Sequence, residues 1–107
     1  MASASQDSAY CAQRLKVLAE AHRLAILRVL FAGPKHVGQI NAVLALDQSL
    51  LSHHLRVLRQ EGLVESRRDG KSVLYQLAPG VHAQGSEGIN LGCCILTFSA
   101  VCPEQNR

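Results

Sequence analysis

Residues 48–63 read QSLLSHHLRVLRQEGL, and the reading of this stretch decides the fold. Leu51, Leu55 and Leu58 recur at intervals of four and three, the spacing that lines one face of a helix. Asp47 stands where its carboxylate can cap the amides that open that helix. Gly62 supplies a left-handed stop, and Leu63 the hydrophobic contact that accompanies it. Opposite the leucine stripe lie Ser49, Ser52, His53, Arg56 and Gln60, with Gln48 at the first turn. Each of these alone would suit any exposed helix. Together they make a polar side that can lie in a major groove, where Arg bonds guanine edges and Gln or Ser bonds adenine edges or phosphates.

The flanking segments supply the rest of the architecture. Upstream, Ser8 to Ala19 carries Cys11, Leu15 and Leu18 on one helical face, and Ala21 to Ala32 carries Leu24, Leu27 and Phe31 before Gly33-Pro34 ends the helix. Val37, Ile40, Val43 and Leu44 make a short third helix that breaks before Asp47. Downstream, Val64 to Arg68 and Ser72 to Leu77 read as strands joined through Asp69-Gly70, a tight hairpin signal. Arg67, Arg68 and Lys71 flank the tip, where flexible cations can neutralise phosphates or enter a minor groove. Helix, short helix, capped helix and charged hairpin, in that order, are a helix-turn-helix with a wing.

The expected fold class is therefore mainly α with a β-hairpin wing. Residues 1–7 are expected to be a flexible N-terminus, 8–78 the DNA-binding domain, and 79–107 a linker and a cysteine-containing segment. Ile89 to Val101, with Gly92, Thr97 and several β-branched residues, reads as an extended strand. A chain of 107 residues holds one small core, and with 4% aromatics and no Trp that core must be built from Leu, Val, Ile and Ala. The net charge of +3 permits a nucleic-acid partner without requiring one. Met1 to Asp7 has no cationic region leading into an apolar run, and no stretch is long enough to span a bilayer, so a cytoplasmic protein with no membrane partner is expected.

From Leu15 to Leu77 the sequence resembles the arsenic-repressor (ArsR/SmtB) family of winged-helix metalloregulators. The resemblance is carried by residues 15–19 (LKVLA), 22–27 (HRLAIL), 48–55 (QSLLSHHL), 58–64 (LRQEGLV) and 68–71 (RDGK). It implies a homodimer that represses an operator in double-stranded DNA and releases it when an inducer binds. It also implies that His53 and His54 serve DNA contact or packing and not metal. Two departures stand out. The family's cysteine pair before the recognition helix is replaced here by residues 35–40, KHVGQI, and the tail lacks the signature of the family's long dimerising terminal helix and its Asp and His zinc ligands.

Cys93, Cys94 and Cys102 stand in their place as the candidate inducer ligands. In a reducing compartment the four cysteines are read as thiols and not as a disulfide framework. Thiolates are soft donors, so a converging set favours a thiophilic ion, trivalent arsenic or antimony ahead of zinc. Some family members are similar in using a C-terminal cysteine pair plus one more cysteine in this way. Adjacent side chains on a regular strand face opposite ways, so Cys93 and Cys94 can share an ion only if the backbone bends, which Gly92 permits. Cys11 reads as a core residue that could still complete a site, and His82 could join a zinc site only with weak spacing support. No cofactor is required by this reading. A redox or persulfide switch on the same thiols is the alternative inducer chemistry. A thiol enzyme is disfavoured, because no Cys-x-x-Cys, phosphate loop or orienting base is present. A protein-interaction module without DNA binding would lack the steep salt dependence of phosphate contacts.

Overall fold

The computed structural model describes residues 4–85 and 87–99, with side chains from residue 7 onward. Four helices come first: α1 (Ala4–Leu18), α2 (Ala21–Val29, continued by a 3-10 turn at Leu30–Ala32), α3 (Val37–Leu44) and α4 (Gln48–Gln60). A two-residue strand β1 (Lys35–His36) precedes α3, and β2 (Val64–Asp69) and β3 (Ser72–Leu77) form the wing. The chain then makes a second hairpin from β4 (Gly88–Asn90) and β5 (Ile95–Thr97). The winged helix-turn-helix expected from the sequence is the fold observed.

The core is aliphatic. Ile26, Leu27 and Leu30, Ile40, then Leu51, Leu55 and Leu58 from the predicted stripe of α4, are all buried with Leu63 and Val64. Burying a side chain of this size stabilises the fold by about 1.5–3 kcal/mol, so the stripe is what seats α4. Val81, Ile89 and Leu91 from the C-terminal segment join the same cluster.

Local chemistry sets the helix ends. Glu20, in an extended conformation, caps α2 by accepting from the amides of His22 and Arg23. The turn between α3 and α4 is held by Asn41, whose side chain donates to the Leu46 carbonyl at 3.0 Å and accepts from the Leu46 amide at 2.8 Å. Ala45 there adopts a left-handed φ of 53°. Asp47 takes the cap position of α4 as expected, but its side chain makes no capping hydrogen bond, since Asn41 and not Asp47 organises this turn.

Three further expectations are corrected. The first helix starts at Ala4 and not after a flexible residue 7, because its polar opening turn has no apolar periodicity to reveal it, while Asp7 suits the positive end of the helix dipole. The wing pairs Asp69 with Ser72, so its two loop residues are Gly70 and Lys71, with Gly70 at φ 65° as the first position of a II′-type turn demands. The segment after Pro79 is not a linker leading into one long strand. Val81 is buried, Ala83 donates to the Gly88 carbonyl and Asn90 to the Val81 carbonyl, and Leu91 turns the chain back into β5. β1, unforeseen, adds to the outer edge of β3 through Lys35 opposite Tyr75.

Candidate nucleic-acid interface and thiol cluster

The polar side of α4 is free. Gln48, Ser49, Ser52, His53, Arg56 and Gln60 are all exposed, while Leu51, Leu55 and Leu58 behind them are buried. Arg67, Arg68 and Lys71 are exposed on the wing. The wing tip is tied to the start of the helix-turn-helix by His36 Nε2 and Asp69 Oδ2 at 2.8 Å, which fixes where its cations stand relative to α3. Arg59 turns towards the wing, with its guanidinium 3.4 Å from Ser66 Oγ.

His54 belongs to the packing, not the exposed side, with 5% exposure. Its Nε2 lies 3.4 Å from Glu20 Oε2, and Arg23 Nε donates to its Nδ1 at 3.2 Å. Burial holds the imidazole below its ordinary pKa, with Arg23, His53 and His22 opposing the pull of Glu20. Burial would raise the Glu20 carboxyl, but attraction to His54, the Arg23 amide and His22 together outweigh it, and the net direction is down. The group is therefore a neutral imidazole between a carboxylate and a guanidinium, joining the cap of α2 to the middle of α4. Glu20, His22 and His54 bring ligand atoms within 4.8 Å of one another. The Arg23 cation occupies the remaining His54 lone pair and opposes a metal ion there. Sequence reading missed this link, because Glu is not a preferred capping residue and the partners are far apart in the chain.

The thiols gather against the middle of α1. Gly92 and Cys93 are the loop residues of the β4–β5 hairpin, with Gly92 at φ 88°, its amide donating to Asn90 Oδ1, and Leu91 donating to the Cys94 carbonyl. The bend that adjacent cysteines need is thus present. Cys93 occupies the loop and Cys94 the first return position, with their sulfurs 3.8 Å apart. Cys11 on α1 completes the group: it forms a disulfide with Cys93, the Cα atoms 5.9 Å apart, and its sulfur lies 3.7 Å from Cys94 Sγ. The expectation of thiols only is corrected here, because the tertiary fold sets Cys11 against a loop 82 residues away. Cys102 lies outside the described residues. His82 stacks on Phe31 with ring centroids 4.7 Å apart, and the ligand group at the sulfurs consists of Cys11, Cys93 and Cys94 among the described residues.

α1 also touches the end of α4. Arg14, one turn after Cys11, donates to the carbonyl of Glu61, the residue that caps the C-terminus of α4, at 3.2 Å and pairs with its carboxylate at 3.6 Å.

Residues 20–66 match the family described as bacterial regulatory protein, arsR family. HlyU, a transcriptional activator of Vibrio cholerae, is 40% identical over 73 residues, which are 68% of this chain and 68% of HlyU. The chain belongs to the ArsR family. The HTH-type transcriptional regulator NmtR of Mycobacterium tuberculosis is 44% identical over 68% of this chain, a match spanning 61% of NmtR. Among solved structures, reduced HlyU from Vibrio cholerae superposes with a TM-score of 0.67 at 38% identity, covering 71% of this chain and 80% of HlyU. The transcriptional repressor BigR from Xylella fastidiosa gives the same TM-score at 34% identity, over 75% of this chain and 79% of BigR. The ArsR family consists of DNA-binding transcriptional regulators and not enzymes, and its winged helix-turn-helix is the architecture found here. No helix among the described residues is long and apolar enough to cross a membrane.

Proposed function

We propose that this ArsR-family chain is a homodimeric repressor of operator DNA that is released by a thiophilic inducer, trivalent arsenic or antimony, acting at its C-terminal cysteines. The observation that carries the DNA-binding part is the two-sided α4: every predicted base-reading side chain is exposed on a helix whose opposite stripe is fully buried. The inducer part is supported by the pairing of Cys93 and Cys94 in one bent loop beside a third sulfur, a soft donor set suited to a trivalent metalloid. In this reading α4 enters the major groove, Arg56 and its neighbours contact base edges, and Arg67, Arg68 and Lys71 neutralise phosphates.

A second reading of the inducer has its own support. The Cys11–Cys93 bond is a two-electron oxidised state, so the same repressor would answer to oxidants or persulfides, and its similarity to HlyU, solved in a form described as reduced, supports this reading.

One titration tests both. Labelled promoter DNA bound by the reduced chain is challenged separately with arsenite, antimonite, zinc and polysulfide. Release by arsenite or antimonite alone supports the first reading, and release by polysulfide with a sulfur bridge in the mass spectrum supports the second. Replacing Arg56 by Ala should cost operator affinity about 1–3 kcal/mol and relax specificity, whereas Arg68→Ala or Lys71→Ala should weaken all sequences alike and lower the salt slope by about one. Equal losses on operator and random DNA for every variant would mean that α4 reads no bases.

A further inference from the structure

We infer that Cys11 of α1, together with Cys93 and Cys94, supplies the third sulfur of a binding site for one trivalent thiophilic ion, and that the Cys11–Cys93 disulfide is the closed, oxidised state of that site. The inference deepens the inducer reading above and rests on it only for the consequence at DNA. The three sulfurs come from two elements that the fold holds together independently of the disulfide. Leu91, next to the loop, is buried in the core, and α1 is pinned by buried Val17 and Leu18 and by the Arg14–Glu61 contacts. Cys94 Sγ stands 3.7 Å from Cys11 and 3.8 Å from Cys93, so once the Cys11–Cys93 bond is reduced one ion above this sulfur triangle can meet all three. Among the described residues the donor set is all sulfur, with no carboxylate or imidazole in the group, which selects a soft ion over hard cations. Cys93 is exposed and faces an open cleft lined by Asp7, Tyr10 and Gly92, which gives an ion a way in.

The chemistry balances in both states. Arsenous acid taken up by three thiols forms three arsenic–sulfur bonds; each thiol proton leaves with one arsenic hydroxyl as water, and the arsenic stays trivalent. Oxidation of Cys11 and Cys93 by a peroxide removes two electrons and two protons from the pair and yields the disulfide and two waters. A dithiol reductant returns the electrons and protons and is itself oxidised to a disulfide. A closed disulfide leaves Cys94 as one thiol and removes the three-sulfur site. The site also reaches the DNA-reading helix, since Cys11 sits one turn before Arg14, which holds the carbonyl of Glu61 at the end of α4.

The test uses the full reduced chain with arsenite as the probe, read by intact mass, thiol alkylation and operator binding. The wild-type chain should take one arsenic in place of three thiol protons, and arsenite should protect Cys11, Cys93 and Cys94 from alkylation. Cys11→Ser should weaken arsenite binding by more than the roughly 10–100-fold that loss of an outer-shell partner costs, while Cys102→Ser leaves it unchanged. Peroxide-treated chain should take up no arsenic until a dithiol is added. Alkylation of Cys11 in the arsenic-loaded wild type, which needs no variant to fold, overturns the assignment. So does a Cys102→Ser variant that loses arsenic while Cys11→Ser keeps it. If Cys11 is protected yet operator stays bound, the ligand assignment holds and the inducer reading fails. If Cys11→Ser is released from operator at wild-type arsenite concentrations, the assignment fails and the inducer reading stands.

Discussion

His54 shows how one residue inside α4 can serve the fold while its neighbours on the polar side stay exposed. Its imidazole is buried between Glu20 and Arg23, with His22 and His53 close by, and is held neutral. The unfolded chain would protonate it below its ordinary 6.5, so the folded state loses stability as pH falls from there towards the lowered folded value. Glu20 acts in the same direction at lower pH. Its lowered pKa contributes stability above the ordinary 4.5 that is lost as pH falls through the folded value. Urea unfolding should therefore show a lower midpoint at about pH 5.5 than at about pH 7.5, and His54→Gln, which keeps a donor and an acceptor, should flatten that difference. Parallel pH profiles for both proteins would show that His54 is not the titrating group. Sequence reading left His54 between DNA contact and packing. The choice depends on Arg23, 31 residues away, which no local pattern reveals.

At the scale of elements, the angle between α3 and α4 is set by three residues, Asn41, Ala45 and Leu46. Asn41 brackets Leu46 with two hydrogen bonds, and Ala45 is the one non-glycine residue among those described with a positive φ. A left-handed conformation costs an L-residue roughly 1–2 kcal/mol, a penalty from which glycine is free. Ala45→Gly should accordingly raise unfolding stability by about 0.5–1 kcal/mol after the added chain entropy of glycine is subtracted, measured by denaturant midpoint with an unchanged slope. A destabilised variant would mean that the alanine methyl is engaged in packing. The helices and wing strands were legible because each carries its own period: four-and-three spacing in α4, Asp-Gly in the wing, Gly-Pro after α2. The opening turn of α1 and the two-residue β1 were not, since the first has no apolar stripe and the second exists only because β3 offers it an edge.

For the whole molecule, the proposed dimer carries the heaviest consequence. Each chain has a net charge of +3, so pairing would double the charge presented to DNA, and one α4 of 13 residues would enter only one groove. Two copies related by a two-fold axis would set their reading helices about 34–36 Å apart, on successive major grooves of an inverted repeat. Footprinting should then show a symmetric protected site, and affinity should fall by about 0.9 log unit per phosphate contact for each tenfold rise in salt. An asymmetric footprint would remove the dimer geometry, and no protection of any promoter DNA, with no salt-dependent affinity, would remove the DNA role.

Sequence by itself determined the helix-turn-helix, the wing, the polar side of α4 and the freedom to bend at Gly92, because each is written in residues within a few positions of one another, where periodicity and turn chemistry act. Only the tertiary structure decided that Cys11 joins Cys93 and Cys94, that His54 faces Glu20, and that Arg14 meets the end of α4, across 47 residues. These are contacts between elements brought together by burial of a shared leucine and isoleucine core. Burial is non-directional: it demands that apolar faces meet, and which polar or sulfur groups become neighbours at the edges follows from how the helices pack.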